Sequence, residues 1–143
     1  VALRDADADI FARKFQGQAT SAQYADLAEI YSTDKEYEVG TVMAIGGDAE
    51  TTEYDKTKSV FGVISEKPGF LMNKDAEGQA IAFVGRVPVK VKGAVSKGDK
   101  VFADDGGVAT TTKKGELVGF ALATDSNEST KLVEVALRLI NNL

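Results

Sequence analysis

The chain has no cysteine, no histidine and no tryptophan, and only two prolines in 143 residues. Without cysteine there is no disulfide, no thiolate nucleophile and no cysteine-ligated zinc. Without histidine, no triad with an imidazole base can be built. Any chemistry falls to carboxylates, lysine, tyrosine or hydroxyls. No apolar run approaches the length of a membrane span, and the first residues lack a basic-then-apolar leader pattern, so no membrane insertion is expected. The net charge is −5, and no lysine/arginine cluster carries interleaved aromatics. No nucleic-acid partner is expected.

Two further patterns are missing. Gly93 to Lys100 holds glycines and lysines, but not the Gly-Lys-Ser/Thr that opens a helix in a phosphate loop. A β-turn explains it. No Gly-x-Ser-x-Gly elbow is present either. No cofactor is expected. The chain starts at Val1 rather than Met, so a longer parent chain is expected.

What is present says β-sheet. The most regular stretch is Gly85 to Val101, where Val87, Val89 and Val91 alternate with Arg86, Pro88, Lys90 and Lys92. A period of two marks a strand with one buried face. Pro88 cannot donate to a ladder, so its side of the strand is expected at an edge or a bulge. Ser96-Lys97-Gly98-Asp99 is a turn. Asp104-Asp105-Gly106-Gly107 signals a hairpin between Val101 to Ala103 and Val108 to Thr110. Thr41 to Ile45, Glu50 to Tyr54 (at an edge), Ser59 to Ser65, Phe70 to Met72, Gln79 to Val84, Leu117 to Ala123 and Leu132 to Ile140 read as further strands. Many short strands without a long amphipathic helix predict an all-β domain, a compact β-barrel or sandwich of short antiparallel strands.

Residues 1–23 differ from the rest. Two strand-like pieces surround Asp5-Ala6-Asp7-Ala8-Asp9, and Gln16 to Ala22 is small and polar. Alone, such a segment cannot offset its ordering entropy. An extended β-stem ordered against other copies of itself fits better. The expected division is a stem over 1–23 and a globular β-domain over 24–143.

Three clusters are candidates for chemistry. Asp5, Asp7 and Asp9 suggest a cation. The EF-hand template needs glycine at its sixth position and glutamate at its twelfth, but Ile10 and Gln16 stand there. A solvated acidic turn is the simpler account. Asp26 and Glu29, with Ser21 upstream, are a carboxylate pair near a hydroxyl, suited to acid–base work or backbone self-cleavage. The simpler account is surface charge on a short segment, Tyr24 to Tyr31, that favours a turn or short helix extended towards Tyr31, although Leu27 to Tyr31 could equally enter a strand. Arg86, Lys90 and Lys92 form a basic stripe, either solvated or paired with acidic neighbours.

Taken together, several strings resemble a known family. They are Tyr24-Ala25-Asp26-Leu27-Ala28-Glu29, Glu38-Val39-Gly40-Thr41-Val42, Phe61-Gly62-Val63-Ile64-Ser65 with Pro68 and Leu71-Met72-Asn73, and Gly85 to Val91 with Lys97-Gly98-Asp99. In this order they resemble the C-terminal domain of tailed-bacteriophage fibre and appendage proteins. Leu3-Arg4-Asp5, Asp9 to Phe15 and Ala19 to Ala22 resemble strand repeats of the fibre shaft.

The resemblance implies a structural virion protein. It implies a homotrimer whose interwoven stem leads to a tip domain that promotes trimerisation and touches a host cell-surface receptor. Ile10, Phe11, Phe15, Arg86, Lys90 and Lys92 are then the expected subunit contacts. Related domains on phage neck appendages are intramolecular chaperones that assist trimerisation and then cut themselves off, using an acidic pair and a serine. Here Asp26 and Glu29 are three apart and Ser21 follows Thr20. No enzymatic activity beyond such self-cleavage is expected.

Overall fold

A computed structural model describes residues 3–14, 16–17 and 25–139. Among them are twelve strands and no helix. The first two, β1 (Leu3–Arg4) and β2 (Ile10–Phe11), form a separate antiparallel hairpin. The β-domain follows with β3 (Asp26–Tyr31), β4 (Val42–Ile45), β5 (Thr51–Glu53), β6 (Val60–Ile64), β7 (Phe70–Met72), β8 (Gln79–Val91), β9 (Lys100–Asp104), β10 (Val108–Thr110), β11 (Leu117–Ala121) and β12 (Lys131–Leu137).

Strand β8 is 13 residues long and serves two sheets. Its second half pairs with β12 from Val91↔Lys131 to Arg86↔Ala136. From β12 the ladder runs through β11 and β9 to β10. Ala109 of β10 then pairs in parallel with Val91. That contact closes a five-strand barrel. The first half of β8 pairs instead with β3 (Gly85↔Asp26 to Gln79↔Tyr31) and with β6, which continues to β4 and β5. β7 joins β3 in parallel at the margin.

A barrel of five strands is narrower than the eight-strand barrels whose interiors side chains just fill. Its lining is accordingly small. Val87, Val89, Val91, Val101, Ala103, Ala109, Val118, Ala121, Val133, Val135 and Leu137 are all buried in one cluster. Tyr54 is the one large aromatic in this cluster; the other large side chains of the interior go to the other sheet. There Tyr37, Met43, Ile64 and Ile81 form a second core, flanked by Tyr31, Phe61 and Phe83 packed edge to face. Tyr37 closes it from the loop above. Its phenol donates to Asp34 and lies 3.2 Å from the Thr52 hydroxyl.

The alternating valines of β8 are buried as the sequence implies, at 0–1% exposure. The lead-in Gln79 to Val84 proves continuous with them in one strand. Pro88 meets its expectation in an instructive way. β12 covers one edge of β8 here, while on the other Arg86 N–H donates to Ala25 and Lys90 N–H to Gly40. The Pro88 nitrogen falls in the gap between those two bonds, where no strand runs. β5 does lie at the sheet's end, yet Thr51 and Thr52 are buried, at 0% and 9% exposure.

Of the two readings open for this segment, the favoured turn or short helix is overturned: Asp26–Tyr31 is a strand, as the other reading had it for Leu27 to Tyr31. Ala, Leu and Glu favour helix locally, but pairing with β7 and β8 on both sides outweighs an intrinsic preference of a few tenths of a kcal/mol per residue, roughly. Tyr24 itself lies outside the described residues.

The change of partners along β8 occurs at Gly85, where φ is +105°. A Cβ there would lie 2.0 Å from the Ala25 carbonyl oxygen and 2.9 Å from Asp26 Cα. Gly98 has a similar φ, +93°, with open space around it. Chemical denaturation should separate strain from clash: Gly98→Ala is expected to cost about 1 kcal/mol and Gly85→Ala about 3 kcal/mol or more. Equal losses would contradict the close approach.

A second expectation concerns acid. The hydrogen bond from Tyr37 holds the Asp34 carboxyl below its ordinary value, against the effect of its own desolvation. A folded value below the unfolded one means stability that is present above the ordinary carboxylate range and lost as pH falls through the folded value. Asp34→Asn should therefore flatten the acid limb of the stability–pH curve below about pH 4. An unchanged limb would show that Asp34 does not contribute.

Candidate functional site

The candidate carboxylates are separated by the strand that carries them. Positions three apart on a strand face opposite ways. Asp26 shares its face with Ala28, which is fully buried. Glu29 shares the other with Tyr31. Hydrogen bonding to its carboxylate, then burial and the charges of Glu29 and Glu50, raise the Tyr31 phenol above its ordinary value. Asp26 and Glu29 therefore do not form an acid–base pair within one chain. Ser21 lies outside the described residues.

Asp26 has a different hydroxyl partner, one that sequence reasoning missed. Ser65 Oγ donates to Asp26 Oδ2 at 2.6 Å, and Gly69 N–H donates to Asp26 Oδ1 at 3.0 Å. The Asp26 backbone carbonyl accepts from the same Gly69 N–H at 2.9 Å. The carboxylate thus ties the turn after β6 to the start of β3. Ser65 ends an apolar strand and precedes Glu66-Lys67-Pro68-Gly69, so a turn was legible there. Its partner, thirty-nine residues earlier, was not.

These groups border a groove of about 270 Å³ beside the gap at Pro88. Asp26, Ser65, Glu66, Lys67, Arg86 and Glu134 give its polar wall, and Ala25, Val39, Val87 and Pro88 its apolar part. Arg86 Nε lies 3.6 Å from Glu134 Oε2 across the β8–β12 ladder. The groove offers hydrogen bonding and acidic charge, with one cation already paired.

The basic stripe is partly accounted for inside the chain. Lys90 Nζ lies 2.7 Å from Glu38 Oε2, and that hydrogen bond, then the ammonium charge, lowers the Glu38 carboxyl below its ordinary value. With Arg86 on Glu134, two of the three cations have acidic partners on neighbouring segments. Lys92 is exposed, and its backbone N–H donates to Ala109 where the barrel closes. Elsewhere Lys58, Thr57 and the Thr57 N–H bring the Asp55 carboxyl down to about 2 in a surface turn. Lys56 and Lys114 both pair with Asp104 at the turn end of the β9–β10 hairpin.

Asp5, Asp7 and Asp9 form the turn of the β1–β2 hairpin. Asp5 Oδ1 accepts from the Asp7 and Asp9 N–H groups at 3.0 and 2.9 Å. Its carboxylate is spent on the turn. Among the described residues no group of three or more acidic side chains comes close enough to hold a metal ion. All three aspartates are exposed. Ile10 and Phe11 on β2 are 60% and 69% exposed, and Phe15 lies outside the described residues. Among the described residues no helix is long and apolar enough to cross a membrane.

The fold defines a class first: an all-β domain in which a small closed barrel and a second sheet share one long strand. Solved structures of similar fold include two of one phage protein. The pre-mature gene product 12 of bacteriophage phi29 superposes with a TM-score of 0.62 at 14% identity, covering 92% of this chain and 24% of that one. The C-terminal fragment of the same phi29 protein superposes with a TM-score of 0.60 at 15% identity, covering 79% of this chain and all of the fragment. This chain thus spans about a quarter of the pre-mature protein. The expected likeness to phage appendage domains holds at the level of the fold. No family model matches the chain, and no curated protein does.

Removing the carboxylate should loosen the Ser65 turn. Asp26→Ala leaves the largely buried Ser65 hydroxyl and the Gly69 N–H with fewer acceptors, at an expected cost of about 1–3 kcal/mol in denaturant unfolding. Asp26→Asn, which keeps one acceptor, should cost less. Equal stability of all three chains would show that the contact carries no weight.

Proposed function

We propose that this chain is the terminal part of a homotrimeric phage fibre or appendage, in which the β-domain registers three copies and presents a surface to the host cell. The observation that carries the reading is the superposition with the whole of the phi29 gene product 12 C-terminal fragment. The β1–β2 hairpin supports it. Among the described residues its Ile10 and Phe11 are exposed and belong to neither core, which suits burial against another chain. The setting is the virion, after synthesis in the host cytoplasm. A host-surface receptor is the external partner.

A second reading is an autoproteolytic chaperone domain that trimerises the fibre and is then released. One observation favours it: Asp26 is hydrogen-bonded to a hydroxyl in an acidic groove beside Ala25. In this reading Glu29 acts from another chain or not at all.

Sedimentation of the chain is expected to give a trimer; a stable monomer overturns the first reading. Intact-mass measurement of a longer chain carrying this domain separates the two. One uncut species, or cleavage that persists in both Asp26→Asn and Ser65→Ala, removes the second.

A further inference from the structure

Four large apolar side chains of the β-domain are more than half exposed: Ile45 (56%), Phe70 (65%), Val84 (59%) and Leu132 (51%). Two of them are neighbours. Leu27 on β3 pairs with Phe70 on β7 and with Val84 on β8. Ladder partners project from the same face of a sheet. Phe70, Leu27 and Val84 therefore make one apolar row across three strands. Further along that face the sheet is covered by the Tyr37 loop and the aromatic trio. At the row the cover stops, leaving a hollow of about 290 Å³. Scattered apolar residues on a surface are ordinary; a contiguous row beside a hollow is a contact surface.

The position of the row says what covers it. Ala25 lines the same hollow and is where the described chain enters the β-domain. Its carbonyl accepts from Arg86 N–H at 2.8 Å and lies against Gly85, so the entry point is pinned. Leu27 is two residues on, within about 7 Å at strand spacing. When three chains share a stem, their entry points are gathered around it, and the surface beside each entry faces the neighbouring copy. We propose, resting on the trimer reading above, that the Phe70–Leu27–Val84 row is the surface through which each β-domain contacts the next copy of this chain. Ile45 and Leu132 are not part of it. Ile45 lies at the β4–β5 turn, and Leu132 beside Glu38 and Lys90.

The absence of cysteine makes the test clean. Single substitutions Phe70→Cys, Val84→Cys, Ile45→Cys and Leu132→Cys in the full chain can each be treated with a short bis-maleimide. Linked chains are expected on denaturing gels for positions 70 and 84, and single chains for 45 and 132. Val84→Lys should weaken association about tenfold or more while leaving the circular dichroism unchanged. A wild-type chain that sediments as a monomer overturns the trimer, and the contact with it. A trimer that Val84→Lys leaves intact and that does not link at 70 or 84, or that links at 45 or 132 instead, overturns the contact alone.

Discussion

Everything in the β-domain depends on one strand having two sets of neighbours. The first half of β8 belongs to the sheet of β3, β6, β4 and β5, and the second half to the barrel. Neither sheet is complete without it. A strand can change partners only where its backbone can turn and another backbone can come close. Gly85 supplies both, with a positive φ and no side chain against Ala25. Pro88 then leaves a gap in the bonding along the edge of β8 opposite β12, between Arg86 and Lys90. The groove bordered by Asp26, Ser65 and Arg86 opens beside that edge. The candidate site is thus a by-product of how two sheets share a strand.

The charges are arranged around this frame. Arg86, on one side of the partner change, meets Glu134 from the barrel, and Lys90 meets Glu38 from the segment that crosses to β4. Exposed pairs of this kind each contribute little, about 0–1 kcal/mol. Their value lies in choosing which segment lies beside which. Asp26 does more for the structure, because it accepts from a largely buried hydroxyl and a backbone N–H at once.

The barrel was largely legible in the sequence, for a physical reason. Its strands have one wet face and one dry face, so Val87, Val89 and Val91 and then Val133, Val135 and Leu137 alternate openly. The β9–β10 hairpin was announced by Asp105-Gly106-Gly107. What could not be read were facts about distance along the chain. That β3 is a strand depends on β7 and β8, and its own residues favour a helix. That the barrel closes depends on a parallel contact between Ala109 and Val91, which leaves no local pattern. The pairing of Asp26 with Ser65 is of the same kind. The apparent Asp26–Glu29 pair came from proximity in sequence, and a strand places such neighbours back to back.

The shared strand also sets the order in which the domain comes into being. β8 leaves the ribosome with its barrel edge bare, and its longest partner, β12, is made after every other strand of the barrel. Until then the row of valines on β8 lacks Val133, Val135 and Leu137 from its packing, and a ladder of unpaired backbone groups stands open. Long-range pairings of this sort are the slow ones in folding. The hairpin of β1 and β2, made first, is therefore exposed to solvent and to other chains well before the β-domain beside it can close.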